Sequence, residues 1–268
     1  MVSAIECEKL GRRFGDVTAV EGVGFRVEEG EFFALLGPNG AGKTTTMHML
    51  TTMLRPTQGY ARVMGFDVVR QAHEVRSAIG MVFQEPALDE RLSAWENLEI
   101  HAALYQIPRR QVKARVESAL EWASLAGAAR RLVRTFSGGM KRRLELGRAL
   151  MHEPKVMFLD EPTVGLDPQG RLHLWESIAA LRQSGLSVFM TTHYLQEAEA
   201  CDRVGIIDQG KLIAIGQPSR LKAEVTGSSE STLEDVFIKL TGHRLRDEEA
   251  TPRGRLLSFG RRGGEHTR

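Results

Sequence analysis

Two hydrophobic rhythms alternate along this chain. Short apolar runs that end in glycine or a polar turn read as buried strands, and stretches with apolar residues every three or four positions read as helices. Residues 4–10 and 24–34 are expected as strands, separated by the glycine-containing segment Gly11 to Gly24, which predicts a small antiparallel unit. A glycine-rich turn after Leu36 then opens a helix from residue 43 that should stop before Arg55-Pro56. Residues 58–64 and 79–83 read as further strands.

From residue 87 the pattern turns helical. Ser93-Ala94-Trp95-Glu96 is a capping box for a helix to about Gln106, and Pro108 starts another with Val112, Val116 and Leu120 on one face. Trp95 and Trp122 are expected in the core of this all-helical insert. Ser137 caps a helix to about His152. Val156-Met157-Phe158-Leu159 is apolar at every position, the mark of a parallel strand buried on both faces. Asp167 and Pro168 open a helix to about Gln183, Gly185 ends it, and Leu186 to Thr191 is the next strand. A hairpin follows, Val204 to Asp208 and Lys211 to Ile215 around Gln209-Gly210. Pro218 to Glu224 reads as helix, and Ser231-Thr232-Leu233-Glu234 as a capping box for a last helix ending at Gly242. Strands alternating with helices predict an α/β fold with a largely parallel sheet.

Composition narrows the class. At 268 residues one large α/β domain, or one domain with a subdomain, is favoured over two full domains, and 26% charged residues with a formal charge of +2 give no basic surplus for nucleic acid. No apolar run approaches the ~20 residues that span a bilayer. The first residues have neither a basic flank nor an apolar stretch of signal-peptide type, so a cytoplasmic location is expected. Cys7 and Cys201 form no metal-ligand pattern and are expected as reduced thiols. The Arg/Gly-rich residues 247–268 are expected to be disordered.

The candidate chemistry centres on Gly37-Pro38-Asn39-Gly40-Ala41-Gly42-Lys43-Thr44-Thr45. Glycines at 37, 40 and 42 let successive N–H groups turn inward, and the following helix adds its positive end, so the stretch is suited to phosphate. Lys43 would place its ammonium on the β- and γ-phosphates, and the Thr44 hydroxyl would serve Mg²⁺. Asp160 and Glu161 end a buried strand, where ligands of parallel sheets bind. Asp160 would stand near the Mg²⁺ shell, and Glu161 would orient and deprotonate a water. His193 is delivered to the same sheet edge. Four other features are ambiguous taken singly: Phe14 fits packing or purine stacking, Gln84 a loop amide or a metal contact, Ser137-Gly138-Gly139 a plain cap or a second anion site, and Asp167 at least a cap.

Together these residues, in this order and spacing, resemble the ATP-binding-cassette (ABC) ATPases over nearly the whole chain. The resemblance implies a P-loop NTPase core with an N-terminal antiparallel β subdomain and an all-helical insert at about 87–150. It divides the chain into an ATPase domain over 1–226, a short helical extension over 227–246 and the tail. It further implies ATP and Mg²⁺ as cofactors, with Gly37 to Thr45 as the Walker A loop, Gln84 as the Q-loop glutamine and Ser137 to Gly139 as the signature. Asp160 becomes the Walker B acid, Glu161 the catalytic base, Asp167 part of the D-loop and His193 the switch histidine, and Phe14 matches the adenine-stacking aromatic. The signature begins Phe-Ser-Gly-Gly-Met where Leu-Ser-Gly-Gly-Gln is commonest. Phe136 to Leu144, Asp89 to Leu92 and Thr232 to Gly242 look like the drug-exporter subfamily typified by the daunorubicin-resistance ATPases.

The family's geometry implies that two chains pair head to tail around two ATP molecules, on the cytoplasmic face of a membrane and beneath a separate permease subunit. Export of a small molecule is the expectation. An importer ATPase or a non-transport member of the fold is the alternative.

Overall fold

A computed structural model of the chain describes residues 3–228 and 230–243. Two sheets carry the architecture. The first is antiparallel, built from β1 (Ser3–Phe14), β2 (Val17–Glu28), β4 (Gln58–Val63) and β5 (Phe66–Asp67) in the order β2-β1-β4-β5. The second contains β3 (Phe32–Leu36), β6 (Ile79–Val82), β7 (Val156–Asp160), β8 (Ser187–Thr192), β9 (Arg203–Asp208) and β10 (Lys211–Gly216). Its order is β10-β9-β3-β8-β7-β6, parallel throughout except for the β9–β10 hairpin.

The central strands explain their unbroken hydrophobicity. Phe33, Leu35, Phe158 and Phe189 face a core shared with the antiparallel sheet and α1 (Lys43–Leu50). Their neighbours Phe32, Ala34, Leu36, Met157, Leu159, Val188 and Met190 face a second core on the opposite side. That side is covered by the C-terminal half of α5 (Gly138–Leu150) and by α6 (Pro168–Gln183), α7 (Leu195–Glu199), α8 (Pro218–Thr226) and α9 (Leu233–Thr241). Because strand side chains alternate faces, a strand covered on both sides must be apolar at every position. Phe25, Phe33 and Phe189 stack with centroids 5.2–5.8 Å apart and fasten β2 of one sheet to β3 and β8 of the other.

The insert has its own core. Leu98, Val116, Leu120 and Leu144 are fully or almost fully buried between α3 (Ala94–Leu104), α4 (Arg109–Trp122) and α5 (Gly138–Leu150). The Ser93 capping box forms as expected: its hydroxyl accepts from the Glu96 N–H, and Glu96 accepts from the Ser93 N–H. Trp95 and Trp122 are partly buried against this core.

Several sequence expectations need correction. Gly11 to Gly24 is not a connecting segment but the paired halves of β1 and β2, joined by a two-residue turn, with Phe14 opposite Val17. The proposed strand 24–34 is two strands, because Gly30 at φ +75° breaks it and sends β3 into the other sheet. The helix after the glycine turn stops at Leu50 rather than 54; Thr52 adopts φ +66°, which no helix continues. The short α2 (Ala72–Ala78) was not anticipated; its N-cap Gln71 offers no side-chain cap. The last capping box is one residue later than expected, with Thr232 paired to Asp235. Residues 244–268, including the tail, lie outside the described residues. Among the described residues no helix is long and apolar enough to cross a membrane.

The final helix adds Leu233, Val236 and Phe237, all fully buried, to the second core. The aromatic joint between the sheets should dominate stability. Phe189 is fully buried and also lies 5.5 Å from Phe158, so Phe189→Ala is expected to lower unfolding free energy by about 3–5 kcal/mol. Urea denaturation should show this as a lower midpoint at unchanged slope.

Candidate nucleotide site

The parallel register assembles the site. Leu36 pairs with Thr192, and Asp160 with Thr191, so the chain leaves β3, β7 and β8 at one sheet edge. The residues that follow, the glycine turn, Glu161 and His193, are therefore neighbours although they are far apart in sequence. Strand β6 lies beside β7 and ends at Val82, which brings Gln84 to the same edge.

Two glycines in the turn are compelled by space. A Cβ on Gly37 would stand 2.2 Å from the Ile207 carbonyl oxygen, and Gly42 combines φ +102° with the Ala19 carbonyl oxygen 2.7 Å from its Cβ position. Helix α1 begins directly after Gly42 with no side-chain cap, so the N–H groups of its first turn remain for an anion. The turn borders a cleft of about 820 Å³, lined by Asn39, Gly40, Gly42, Lys43, Thr44, Thr45, Gln84, Glu161 and His193 together with Ala19, Val164, Gly165, Arg171 and Tyr194. That volume falls in the range of small-molecule sites.

At the floor of the cleft is a buried knot of charge. Lys43, 4% exposed, directs its ammonium at the Gly37 carbonyl (2.8 Å), the Pro38 carbonyl (3.1 Å) and Glu161 Oε1 (3.1 Å). The other Glu161 oxygen faces His193 Nδ1 at 3.1 Å. Burial opposes ionisation of Glu161, but the His193 hydrogen bond and the Lys43 ammonium outweigh it and hold the carboxyl below its usual range. An ionised carboxylate can accept a proton, as a base must. Glu161 also adopts φ +42°, sparsely populated for a residue with a side chain. Its N–H donates to the Thr191 carbonyl and hydroxyl, both at 3.1 Å. Beside it, Asp160 Oδ1 accepts from Thr44 Oγ1 (3.2 Å) and from the Thr191 hydroxyl.

The second group of expected site residues lies apart. Ser137 caps α5 by accepting from the Met140 N–H at 3.2 Å, and Asp167 caps α6 by accepting from the Gly170 N–H at 2.9 Å. Ser137, Gly139 and Asp167 line a separate recess of about 180 Å³ with Arg143, Gly170 and His173, and the exposed Gly138 starts α5 beside it. Phe14 belongs to neither lining; it is 46% exposed at the end of β1, with the Arg12 guanidinium 4.6 Å from its ring centre. Cys7 and Cys201 are both buried, and burial pushes the Cys7 thiol up to about 12, far from reactivity.

Sequence reasoning missed part of the cleft. Ala19 comes from the antiparallel sheet, folded over the glycine turn, and no local pattern announces that. Arg171 had a usable signal. It follows the N-cap Asp167 by four residues and so stands one turn into α6; its guanidinium donates to the Leu166 carbonyl and packs 5.2 Å from the Tyr194 ring centre.

Comparison with known proteins agrees with this geometry. The ABC transporter family profile matches residues 20–164. A daunorubicin resistance ATP-binding protein of Streptomyces coeruleorubidus, DrrA3, is 46% identical over 226 residues, 84% of this chain and 72% of that protein. The linearmycin resistance ATP-binding protein LnrL of Bacillus subtilis is 41% identical over 238 residues, 88% of this chain and 74% of its own. A solved structure of an ATP-binding subunit of an ABC transporter superposes with a TM-score of 0.80 at 28% identity, over 89% of this chain and 100% of that one. With a glycine turn, a buried lysine and the strand-end carboxylate of Glu161 in one cleft, the chain belongs to the ABC transporter family as an ATP-binding, ATP-hydrolysing subunit.

Proposed function

We propose that this subunit powers export of a small molecule, a drug, antibiotic or lipid-like compound, through a separate integral membrane permease at the cytoplasmic face of the membrane. The resistance proteins among its relatives support the class of cargo. The observation that carries the chemistry is the Lys43–Glu161–His193 knot at the end of three adjacent parallel strands.

In the proposed cycle the triphosphate lies along Gly37 to Thr45, with the N–H groups of the turn on its phosphate oxygens. Lys43 exchanges Glu161 for the γ-phosphate. Glu161, released on that side and still oriented through His193, then holds the attacking water and takes its proton. Mg²⁺ would be held by Thr44, Gln84 and Asp160. Their hydroxyl, amide and carboxylate oxygens suit a hard octahedral cation, and the Thr44 and Asp160 oxygens already meet at 3.2 Å. When bound, the ion offsets charge on the β- and γ-phosphates. Phe14 would stack on the adenine.

The recess at Ser137, Gly138, Gly139 and Asp167 is distinct from the cleft, which supports a second copy completing each site: two chains pair head to tail and enclose two ATP molecules. Cleavage removes the γ-phosphate both copies grip, and the pair opens. A ligand held by only one state shifts the population by its differential affinity. The permease is proposed to seat a helix in the groove near Gln84 and the helical insert. On that insert Ile100 and Leu104 of α3 are 50% and 74% exposed, and Leu104 and Tyr105 border a recess of about 320 Å³ with His73 and Arg76.

Three measurements test these assignments. Lys43→Ala should weaken ATP binding by about tenfold or more in titration calorimetry, the worth of a lost charge-assisted contact, and unaltered affinity would remove the phosphate-loop reading. Glu161→Gln should bind ATP, hydrolyse it at least about 100-fold more slowly and accumulate as a dimer on gel filtration; a normal rate refutes the base assignment. Leu104→Glu should leave ATP affinity intact yet depress transport in vesicles carrying the permease, and undiminished transport would move the docking site elsewhere.

A further inference from the structure

Three charged residues on one stripe of α5, Arg142, Glu145 and Arg148, are buried where a helix surface ordinarily meets water. Their side chains are 5%, 0% and 14% exposed. Burial weakens the charged forms of all three: it pulls the two guanidinium groups down and pushes the Glu145 carboxyl up. Such groups need full compensation. The compensation is specific in what it grips.

Arg142 has five N–H donors and finds five acceptors. Nε donates to the Pro162 carbonyl at 2.7 Å. One terminal nitrogen donates to the Asp160 and Glu161 carbonyls at 3.4 and 3.3 Å, and the other to the Phe83 carbonyl and to Glu145 Oε2 at 3.2 Å. Three consecutive carbonyls, those flanking and including Glu161, therefore converge on one guanidinium. Glu145 accepts from the Ala87 N–H at 2.7 Å, and Arg148 donates to the Ala87 carbonyl. The segment 83–87, which contains Gln84, is thus tied to the same helix at both ends.

We propose that Arg142 is a positioning residue for hydrolysis: its guanidinium holds the Asp160–Pro162 turn so that the Glu161 carboxylate meets the γ-phosphate water, in register with the Gln84 segment. The reason lies in the backbone. At φ +42° Glu161 is held in a conformation its side chain disfavours, and such conformations persist only where the surroundings over-determine them. Without the fork, the Asp160, Glu161 and Pro162 carbonyls each lose the guanidinium as donor, the Glu161 carbonyl keeping the Val164 N–H at 3.2 Å, and the turn relaxes. A shift of about 1 Å at the base would then cost on the order of 100-fold in rate with the substrate still bound. Lysine cannot replace the arginine, because a single ammonium has three donors and no planar fork.

This inference rests on the assignment of Glu161 as base, so that assignment is controlled in the same experiment. Steady-state hydrolysis is measured for the full chain, for Glu161→Gln, for Arg142→Lys and for the double variant Arg142→Met/Glu145→Gln. The double variant removes the Arg142–Glu145 ion pair as a unit, keeps an acceptor for the Ala87 N–H and leaves Arg148 its bond to the Ala87 carbonyl; thermal unfolding verifies folding in each. Expected are kcat values lower by about 10-fold for Arg142→Lys and about 100-fold for the double variant, with KM for ATP within about threefold of the parent. Parental kcat in either folded variant, or a raised KM at unchanged kcat, overturns the positioning role. Normal hydrolysis by Glu161→Gln overturns the base assignment itself and with it this proposal.

Discussion

Lys43, Glu161 and His193 share one buried knot, and the rest of the molecule is arranged so that it can exist. An ammonium and a carboxylate taken out of water are costly unless each finds partners. Lys43 spends its three donors on the Gly37 and Pro38 carbonyls and on Glu161, and Glu161 adds His193 on its other oxygen. The partners that satisfy the pair are the groups a phosphate would compete with. In the proposed cycle, binding is then an exchange of anions on one cation, and the carboxylate it displaces is the one proposed to activate water.

Holding three residues from distant parts of the chain within hydrogen-bond reach requires a rigid platform. Register supplies it: five parallel strands place the glycine turn, Asp160, Glu161, His193 and the approach to Gln84 on one edge. Stiffness comes from burial on both faces, with stacked phenylalanines on one side and five helices on the other. Helix α5 ties these parts together a second time. Its first residues line the recess proposed for the nucleotide of a second copy, while Arg142, little more than one turn further on, grips the backbone of Glu161, this chain's proposed base. A displacement of α5 by the other nucleotide would therefore be felt at Glu161.

Much of this was legible in the sequence because the responsible residues are constrained locally. A strand covered on both faces must read as an apolar run, as Val156 to Leu159 does, and a phosphate turn must have glycine where a Cβ would strike Ile207 or Ala19. The caps at Ser93, Ser137 and Asp167 are likewise local. What escaped was set by contacts between distant segments. Pairing of β1 with β2 is extended through the glycines that looked like a loop, and Ala19 enters the cleft only through that pairing. Arg142 and Glu145 lie on a charged face of their helix, with Lys141 and Arg143 flanking Arg142 in sequence. Nothing in the spacing reveals that one stripe of that face is pressed against Phe83, Ala87 and Pro162.

In the proposed cycle two copies each lend the other half of a site. Complementation of two damaged chains tests it most directly. One chain carries Lys43→Ala, the other Gly138→Asp, and each hydrolyses poorly alone. In a head-to-tail pair made from one of each, the intact glycine turn of the second chain faces the intact Ser137–Gly139 of the first, so one composite site is whole. The mixture should hydrolyse ATP well above the sum of its separated components. Activity no greater than that sum would mean that each chain works within itself, contrary to the shared-site account.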